Sequence, residues 1–211
     1  MSIKVILVDD HAVVRAGFKM LLSVDDDIQV IAEAERGEQA ISTYLEHKPD
    51  VLVMDLSMPG IGGLEAIKRI IAQDKSAKIL VFSVNDESVF VDRAIAAGAK
   101  GFISKSSAAN DLADAIKTVA EGRVYLENTK EFNEYYPEGA DKKQVIKDFS
   151  SREFDVFLLL AKGKTPRLIA EELSLGYKTI ANYSTQIKKK LAVNSVAELA
   201  HIAVLYGMVN H

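Results

Sequence analysis

Between residues 3 and 121 the chain alternates short, β-branched apolar runs with stretches of helical period. The runs at 3–8, 28–34, 51–54, 79–82 and 101–104 predict strands. Between them, apolar positions recur at i, i+3 and i+4 over 12–23, 38–47, 64–73, 87–97 and 108–121, which predicts amphipathic helices. In the first of these, Val13, Val14, Gly17, Phe18, Leu21 and Leu22 make up the apolar face. Strands apolar on both faces, each followed by a helix, belong to a parallel sheet covered on both sides. The expected fold over residues 1–121 is therefore α/β, a five-stranded doubly wound parallel sheet.

That regularity stops at residue 122. Residues 122–148 are dense in charge, with Tyr135-Tyr136-Pro137-Glu138-Gly139 as a turn signal, and read as an interdomain linker with room for a short helix at 141–148. Residues 149–211 read as a second, all-α domain of four helices. Ser150-Ser151-Arg152-Glu153 is a capping box, followed by Phe154, Phe157, Leu158 and Ala161 on one face and ended by Gly163. Thr165-Pro166 reads as an N-cap with proline at the first helical position, opening a short helix over 167–173. A third helix is expected from about Lys178 to Leu191 and a fourth from Val196 to about Tyr206. Two helices joined by a tight, glycine-containing turn, the second of them basic, form a helix-turn-helix.

Charge sharpens the division. From Lys142 onward there are 11 Lys and Arg against 6 Asp and Glu, a net +5, so the first 141 residues carry −9 of the total −4. A basic tail domain points to nucleic acid as its partner, and an acidic front domain to something else. With no Cys the chain has no disulfide framework and no thiolate metal site, which suits a cytoplasmic protein. No apolar run approaches the length of a membrane span, so no membrane partner is expected. The four His are scattered and read as surface or packing residues.

The candidate chemistry lies where the predicted strands end. Asp9 and Asp10 close the first, Asp55 the third, Ser83 follows the fourth and Lys105 the fifth. In open α/β sheets ligands bind in the crevice at the carboxyl ends of the strands. Each residue has an ordinary explanation alone: Asp9-Asp10 as helix caps, Asp55 before a Met58-Pro59-Gly60 turn, Lys105 as a loop charge. Three acids in one crevice repel unless a cation joins them, and oxygen donors of this kind suit Mg²⁺. Three acids, one hydroxyl and one ammonium together can accept and hold a phosphoryl group.

These residues carry a family resemblance. Val8-Asp9-Asp10-His11, Asp55-Leu56-Ser57-Met58-Pro59, Ser83 and Gly98 to Lys105 resemble the flavodoxin-like receiver domain of response regulators. Ser150 to Glu153, Gly163, Ile169 to Leu173 and Lys178-Thr179-Ile180 resemble the LuxR-type helix-turn-helix of the NarL/FixJ class. The stretch Met58 to Glu65 also resembles the GacA/UvrY-type regulators. The resemblance implies Asp55 as phosphoacceptor, and Asp10, Asp55 and the Ser57 carbonyl as Mg²⁺ ligands with Asp9 acting through water. It implies Ser83 and Lys105 on the phosphoryl oxygens, and Phe102 as an aromatic switch that turns inward on activation. In the second domain it places Ala181, Asn182 and Thr185 at base edges, and Lys178, Thr179, Lys188 and Lys189 at phosphates. The implied partners are a sensor histidine kinase or phosphotransfer protein, double-stranded DNA, and a second copy of the chain on activation.

Two departures stand out: Ser106 follows Lys105 where receivers commonly have proline, and Gly176 replaces the usual Ser at the start of the recognition helix. Packing inward on that helix are Ile180, Tyr183 or Ser184, Ile187 and Leu191, and on the last helix Val196, Leu199, Ala200 and Ala203 are expected to be exposed for pairing two copies. The chain is expected to be a transcriptional regulator and not an enzyme. An aspartyl-nucleophile hydrolase would carry an acid two residues after Asp55, where Ser57 stands. A receiver whose output is protein binding remains a third reading, opposed by the lysines at 178 and 188–190.

Overall fold

The computed structural model describes residues 2–127 and 140–209, and the chain divides into two compact units, Met1–Lys130 and Glu131–His211. The turn signal at residues 135–139 lies outside the described residues.

The first unit runs β1 (Ile3–Val8), α1 (Ala12–Leu22), β2 (Ile28–Ala34), α2 (Gly37–His47), β3 (Val51–Met54), α3 (Gly62–Gln73), β4 (Ile79–Ser83), α4 (Ser88–Ala97), β5 (Gly101–Ser104), α5 (Ala108–Ala120) and β6 (Tyr125–Leu126). All strand pairs are parallel, in the order β2-β1-β3-β4-β5-β6. The order reverses direction between β1 and β3, so the crevice of a doubly wound sheet opens where those two strands end. Val5, Leu7, Val51, Val53, Leu80, Phe82 and Ile103 form one buried face with Leu22, Leu112, Ala115, Ile116 and Val119. The alternate residues Ile6, Val8, Leu52, Met54, Ile79, Val81 and Phe102 are buried too, which places them in the core beneath the other sheet face.

Two expectations change here. The sheet has a sixth strand: Tyr125–Leu126 pairs with Gly101 and Phe102 inside the stretch read as linker. Two residues are too short to show a period in sequence, and their pairing depends on β5 alone. On α1, Val13 is 85% exposed and Gly17 is exposed too, while Val14, Phe18, Leu21 and Leu22 face the core. Phe18 meets Phe82 edge-on with ring centroids 4.6 Å apart.

The second unit holds α6 (Ala140–Lys147), α7 (Ser151–Ala161), α8 (Pro166–Glu172), α9 (Tyr177–Lys190) and α10 (Val196–Leu205). The capping box is complete: Ser150 Oγ accepts from the Glu153 amide at 3.2 Å, and Glu153 Oε2 accepts from the Ser150 amide at 2.9 Å. Thr165 caps α8 with Pro166 behind it, and Ser195 caps α10. Gly176 starts α9 with extended backbone and no side-chain cap. Ile146, Phe149, Phe154, Phe157, Ile169, Ile180, Ile187, Leu191, Leu199 and Ile202 are buried in this unit.

The expected exposed face of α10 needs correction. Leu199 and Ala203 are fully buried, and only Val196, at 39%, is clearly exposed of the four residues named for pairing; Ala200 is half-buried. Nearly every position of α10 is apolar, so its period does not mark which side faces α7. On α9, Ile180, Ile187 and Leu191 point inward as expected, and Tyr183 and Ser184 are both half-buried.

Two contacts fix geometry that the sheet and caps leave open. A Cβ at Gly63 would sit 2.1 Å from the Asp55 carbonyl oxygen and 2.7 Å from Leu56 Cα, so only glycine lets α3 start against the end of β3. Gly63→Ala should cost about 1–3 kcal/mol, the usual range for overpacking against backbone. Urea unfolding of the first unit reads this, and unchanged stability would show a looser approach. In the second unit Lys190 Nζ reaches Glu153 Oε1 at 2.6 Å and lies 5.6 Å from the Phe149 ring centroid. Burial pushes the Glu153 carboxyl up, but Lys190 and the Ser150 amide and hydroxyl outweigh it and hold it below the usual range. A depressed folded-state pKa means stability that is present above the unfolded value and lost as pH falls through the folded one. Glu153→Gln should therefore lower the stability of the helical unit by about 1 kcal/mol at neutral pH and flatten its acid dependence. Amide exchange in α7 and α9 across pH 3–7 measures both.

Candidate functional site

The register Val8↔Met54 puts Asp9 and Asp55 side by side, each one residue beyond the end of its strand. Backbone bonds fasten both: Asp9 N–H donates to Ala34 O at 3.1 Å and Asp55 N–H to Val8 O at 2.9 Å. On the far side, Ser83↔Ser104 closes the β4–β5 register and Lys105 N–H donates to Ser83 O at 2.7 Å. Lys105 is thereby aimed back along the strand ends at the acids. Its ammonium donates to Asp9 Oδ2 at 2.5 Å and to Asp55 Oδ2 at 2.7 Å.

The remaining carboxylate oxygens are held alike. Asp9 Oδ1 accepts from the His11 amide at 2.8 Å, and Asp55 Oδ1 accepts from the Ser57 amide at 3.1 Å. Asp9 and Asp55 are almost wholly buried, at 2% and 1% exposure. Burial pushes the Asp55 carboxyl up to about 6, with Asp9 adding to it and Lys105 and the Ser57 amide opposing. Lys105 is itself pushed down by burial, but the two carboxylates outweigh this and raise it above its ordinary value. At neutral pH Asp55 is thus an anion held close to its own titration by a low-dielectric site, and Lys105 stays charged.

Asp10 stands at the rim. Its Oδ1 is buried without a hydrogen-bond partner, although His11 Nδ1 approaches to 2.8 Å outside bonding geometry. One oxygen of Asp9, one of Asp10 and a His11 nitrogen lie within 4.8 Å of one another. An unpartnered carboxylate oxygen beside a second carboxylate is the donor arrangement that a hard divalent cation satisfies, so these residues fit Mg²⁺. Ser83 is buried and its Oγ accepts from the Asn85 amide at 3.1 Å. Phe102, expected to turn inward on activation, is fully buried in register with Val81. Ser57 is exposed beside Asp55. The fold brings Asp9, Asp55 and Lys105 into direct contact, with Asp10, Ser57, Ser83 and Phe102 on the strands and loops that border them.

Several supporting residues escape a reading of motifs. Arg15 on α1 donates to the Asp9 carbonyl at 2.6 Å and to Glu33 at 3.3 Å. Glu38 on α2 accepts from the Ile61 amide at 3.0 Å and so pins the loop after Asp55. Glu127, just past β6, accepts from the Ser104 amide at 2.7 Å and from the Ser107 hydroxyl. Only the placement of Arg15 one helical turn beyond Asp10 hints at its role in sequence; Glu38 and Glu127 carry no local signal.

In the second unit the residues expected at DNA lie along α9. Lys178, Thr179, Asn182, Thr185 and Lys189 are exposed, while Ala181 and Lys188 are half-buried. Thr185 Oγ1 donates to the Ala181 carbonyl at 3.0 Å, which leaves its oxygen free to accept. Lys190, part of the same lysine run, is committed to Glu153. The exposed stripe therefore carries two ammonium groups, one amide and two hydroxyls on a helix preceded by the tight turn at 173–176, which is chemistry suited to phosphates and base edges.

Comparison with known proteins accords with this arrangement. Residues 5–117 match the response regulator receiver domain family, and residues 147–203 match the bacterial regulatory proteins of the luxR family. The transcriptional activator protein ExaE of Pseudomonas putida is 36% identical over 97% of this chain and 97% of its own. The response regulator UvrY of Escherichia coli K12 is 34% identical, covering 99% and 96%. The oxygen regulatory protein NreC of Staphylococcus epidermidis RP62A is 37% identical, covering 95% and 96%. UvrY is thus among the relatives of this chain, beside ExaE and NreC at similar identity. RcsB from Salmonella enterica serovar Typhimurium, bound to promoter P1flhDC in the presence of phosphomimetic BeF3⁻, superposes with a TM-score of 0.67 at 25% identity, covering 99% of this chain and 100% of that one. A two-component response regulator of the LuxR family from Aurantimonas sp. SI85-9A1 gives 0.58 at 39% identity over 59% of this chain and 89% of that one. No helix among the described residues is long and apolar enough to cross a membrane. The chain belongs to the two-component response regulators of the NarL/FixJ class, DNA-binding transcriptional regulators that join a receiver domain to a LuxR-type helix-turn-helix.

Proposed function

We propose that Asp55 is the phosphoacceptor through which a sensor histidine kinase, or a phosphotransfer protein, controls DNA binding by this chain in the cytoplasm. The observation that carries this is the buried Asp9–Lys105–Asp55 arrangement at the switch point of the sheet. An Asp55 carboxylate oxygen attacks phosphorus, an O–P bond forms, and the P–N bond of the donor phosphohistidine breaks. Asp9, Asp10, Asp55 and the Ser57 carbonyl would hold Mg²⁺, which when bound offsets the charge of carboxylate and phosphoryl group. Lys105 then exchanges its Asp55 contact for a phosphoryl oxygen, and the Ser83 hydroxyl supplies a second donor. Those two shifts, with the neighbouring Phe102, report the new group to the rest of the sheet. The expected outcome is that acetyl phosphate with Mg²⁺ labels Asp55 in the wild type and leaves Asp55→Asn unlabelled, because the amide keeps the shape and lacks the nucleophile. Label retained on the Asn variant would move the acceptor elsewhere.

For the helical unit, the proposed base-reading residues are Ala181, Asn182 and Thr185, with Lys178, Thr179, Lys188 and Lys189 at phosphates. Two copies meet on DNA once phosphorylated, through the part of α10 around Val196 that α7 leaves uncovered. Asn182 can bond adenine at two positions, worth roughly 1–3 kcal/mol against a wrong base. Asn182→Ala should therefore cost affinity for the preferred operator selectively. Lys178→Ala should weaken all sequences alike and reduce the salt slope by about one. Mobility shifts over an operator panel at several salt concentrations separate the two; equal, sequence-independent losses would remove Asn182 from base reading.

A further inference from the structure

The turn that carries Lys105 is held by a residue from outside the strand-end motifs. Lys105 is followed by Ser106 and Ser107, and on the β4 side Lys105 N–H donates to the Ser83 carbonyl. Its serines bond among themselves: Ser104 Oγ to Ser106 Oγ at 2.7 Å, and Ser107 Oγ to the Ser104 carbonyl at 3.3 Å. What anchors this cluster to the sheet from the other side is Glu127. One carboxylate oxygen takes the Ser104 amide, one residue before Lys105, at 2.7 Å, and the other takes the Ser107 hydroxyl, two residues after it. Glu127 spans the turn like a staple. It is itself placed by β6, through Tyr125 N–H to Lys100 O at 3.1 Å and Glu127 N–H to Phe102 O at 3.2 Å.

We propose that Glu127 is a positioning residue for phosphoryl transfer: by bracing residues 104–107 it holds the Lys105 ammonium at the acids, and it thereby ties β6 to the state of the site. The inference rests on the reading of Asp55 as phosphoacceptor. An ammonium on a four-carbon stem has many rotamers, and reaching two buried carboxylates at once requires its Cα to be fixed within a fraction of an ångström. Both bonds to Glu127 are charge-assisted, the kind strong enough to do this. The carboxylate also needs its full length. A Gln can still accept from the Ser104 amide and donate to Ser107, whereas an Ala does neither.

The test uses the full chain and the Glu127→Ala and Glu127→Gln variants, with three readouts: the rate of Asp55 labelling at saturating acetyl phosphate and Mg²⁺, the Mg²⁺ dissociation constant by calorimetry, and amide exchange at Ser104, Lys105, Tyr125 and Glu127. Glu127→Ala should slow labelling about tenfold, speed exchange at those amides, and leave Mg²⁺ binding as tight as in the wild type or tighter, because the acids are untouched and the ammonium that competes for them is held less firmly. Glu127→Gln should recover most of the rate. A structural defect alone would weaken Mg²⁺ binding along with the rate, and that result overturns the proposal. A labelled wild type with an unaffected Ala variant likewise overturns the role of Glu127 while leaving Asp55 as acceptor. A wild type that takes no label at Asp55 overturns both.

Discussion

Two carboxylates almost wholly removed from water, Asp9 and Asp55, share one ammonium, Lys105. Burying even one such charge without a partner is prohibitive, and burying two of like sign side by side is worse. The fold meets that constraint with topology. The reversal of strand order sets the ends of β1 and β3 next to each other, and the β4–β5 pair delivers Lys105 from the other side. Each acid then keeps one oxygen for Lys105 and one for a backbone amide two residues on. The arrangement is satisfied at rest and still one charge short of neutral. An entering divalent cation and phosphoryl group therefore change the balance at a point where burial of Asp9 and Asp55 leaves little solvent screening.

The helical unit solves a different problem, which is to keep one side of α9 free. Its inward face is fixed by Ile180, Ile187 and Leu191, and its far end by Lys190 on Glu153. Glu153 at once caps α7 and grips α9, so a single carboxylate sets both the start of one helix and the end of the other. With that end secured, Lys178, Asn182, Thr185 and Lys189 remain exposed on the solvent side. A polar, cationic stripe on a rigid helix is what the phosphate backbone and groove edges of DNA select.

Most of this was legible in sequence because it follows from local chemistry. Period and turn residues located the five long strands, and polar residues at strand ends located Asp9, Asp10, Asp55, Ser83 and Lys105. The capping box at Ser150 and the Thr165-Pro166 start were visible for the same reason. What stayed hidden depends on partners far along the chain. Tyr125–Leu126 becomes a strand only because β5 has an open edge, and Glu127 looked like one more charge in a charged linker. Gly63 falls between the Met58-Pro59-Gly60 turn and the helix expected from residue 64, and its close approach to Asp55 is a fact of packing. On α10 the difficulty was the reverse: almost every residue is apolar, so burial of Leu199 and Ala203 had no contrasting pattern to reveal it.

Lys105 offsets one of the two charges of Asp9 and Asp55 at rest and so competes with any cation drawn to them. The most direct test is the Mg²⁺ dissociation constant of Lys105→Met beside that of the wild type, measured by calorimetry at fixed ionic strength. Removing the ammonium while keeping the apolar stem leaves two buried carboxylates with no counter-charge, so Mg²⁺ should bind about tenfold more tightly in the variant. Equal affinity, or weaker binding by a variant that folds normally, would show that Lys105 does not compete with the cation for these acids.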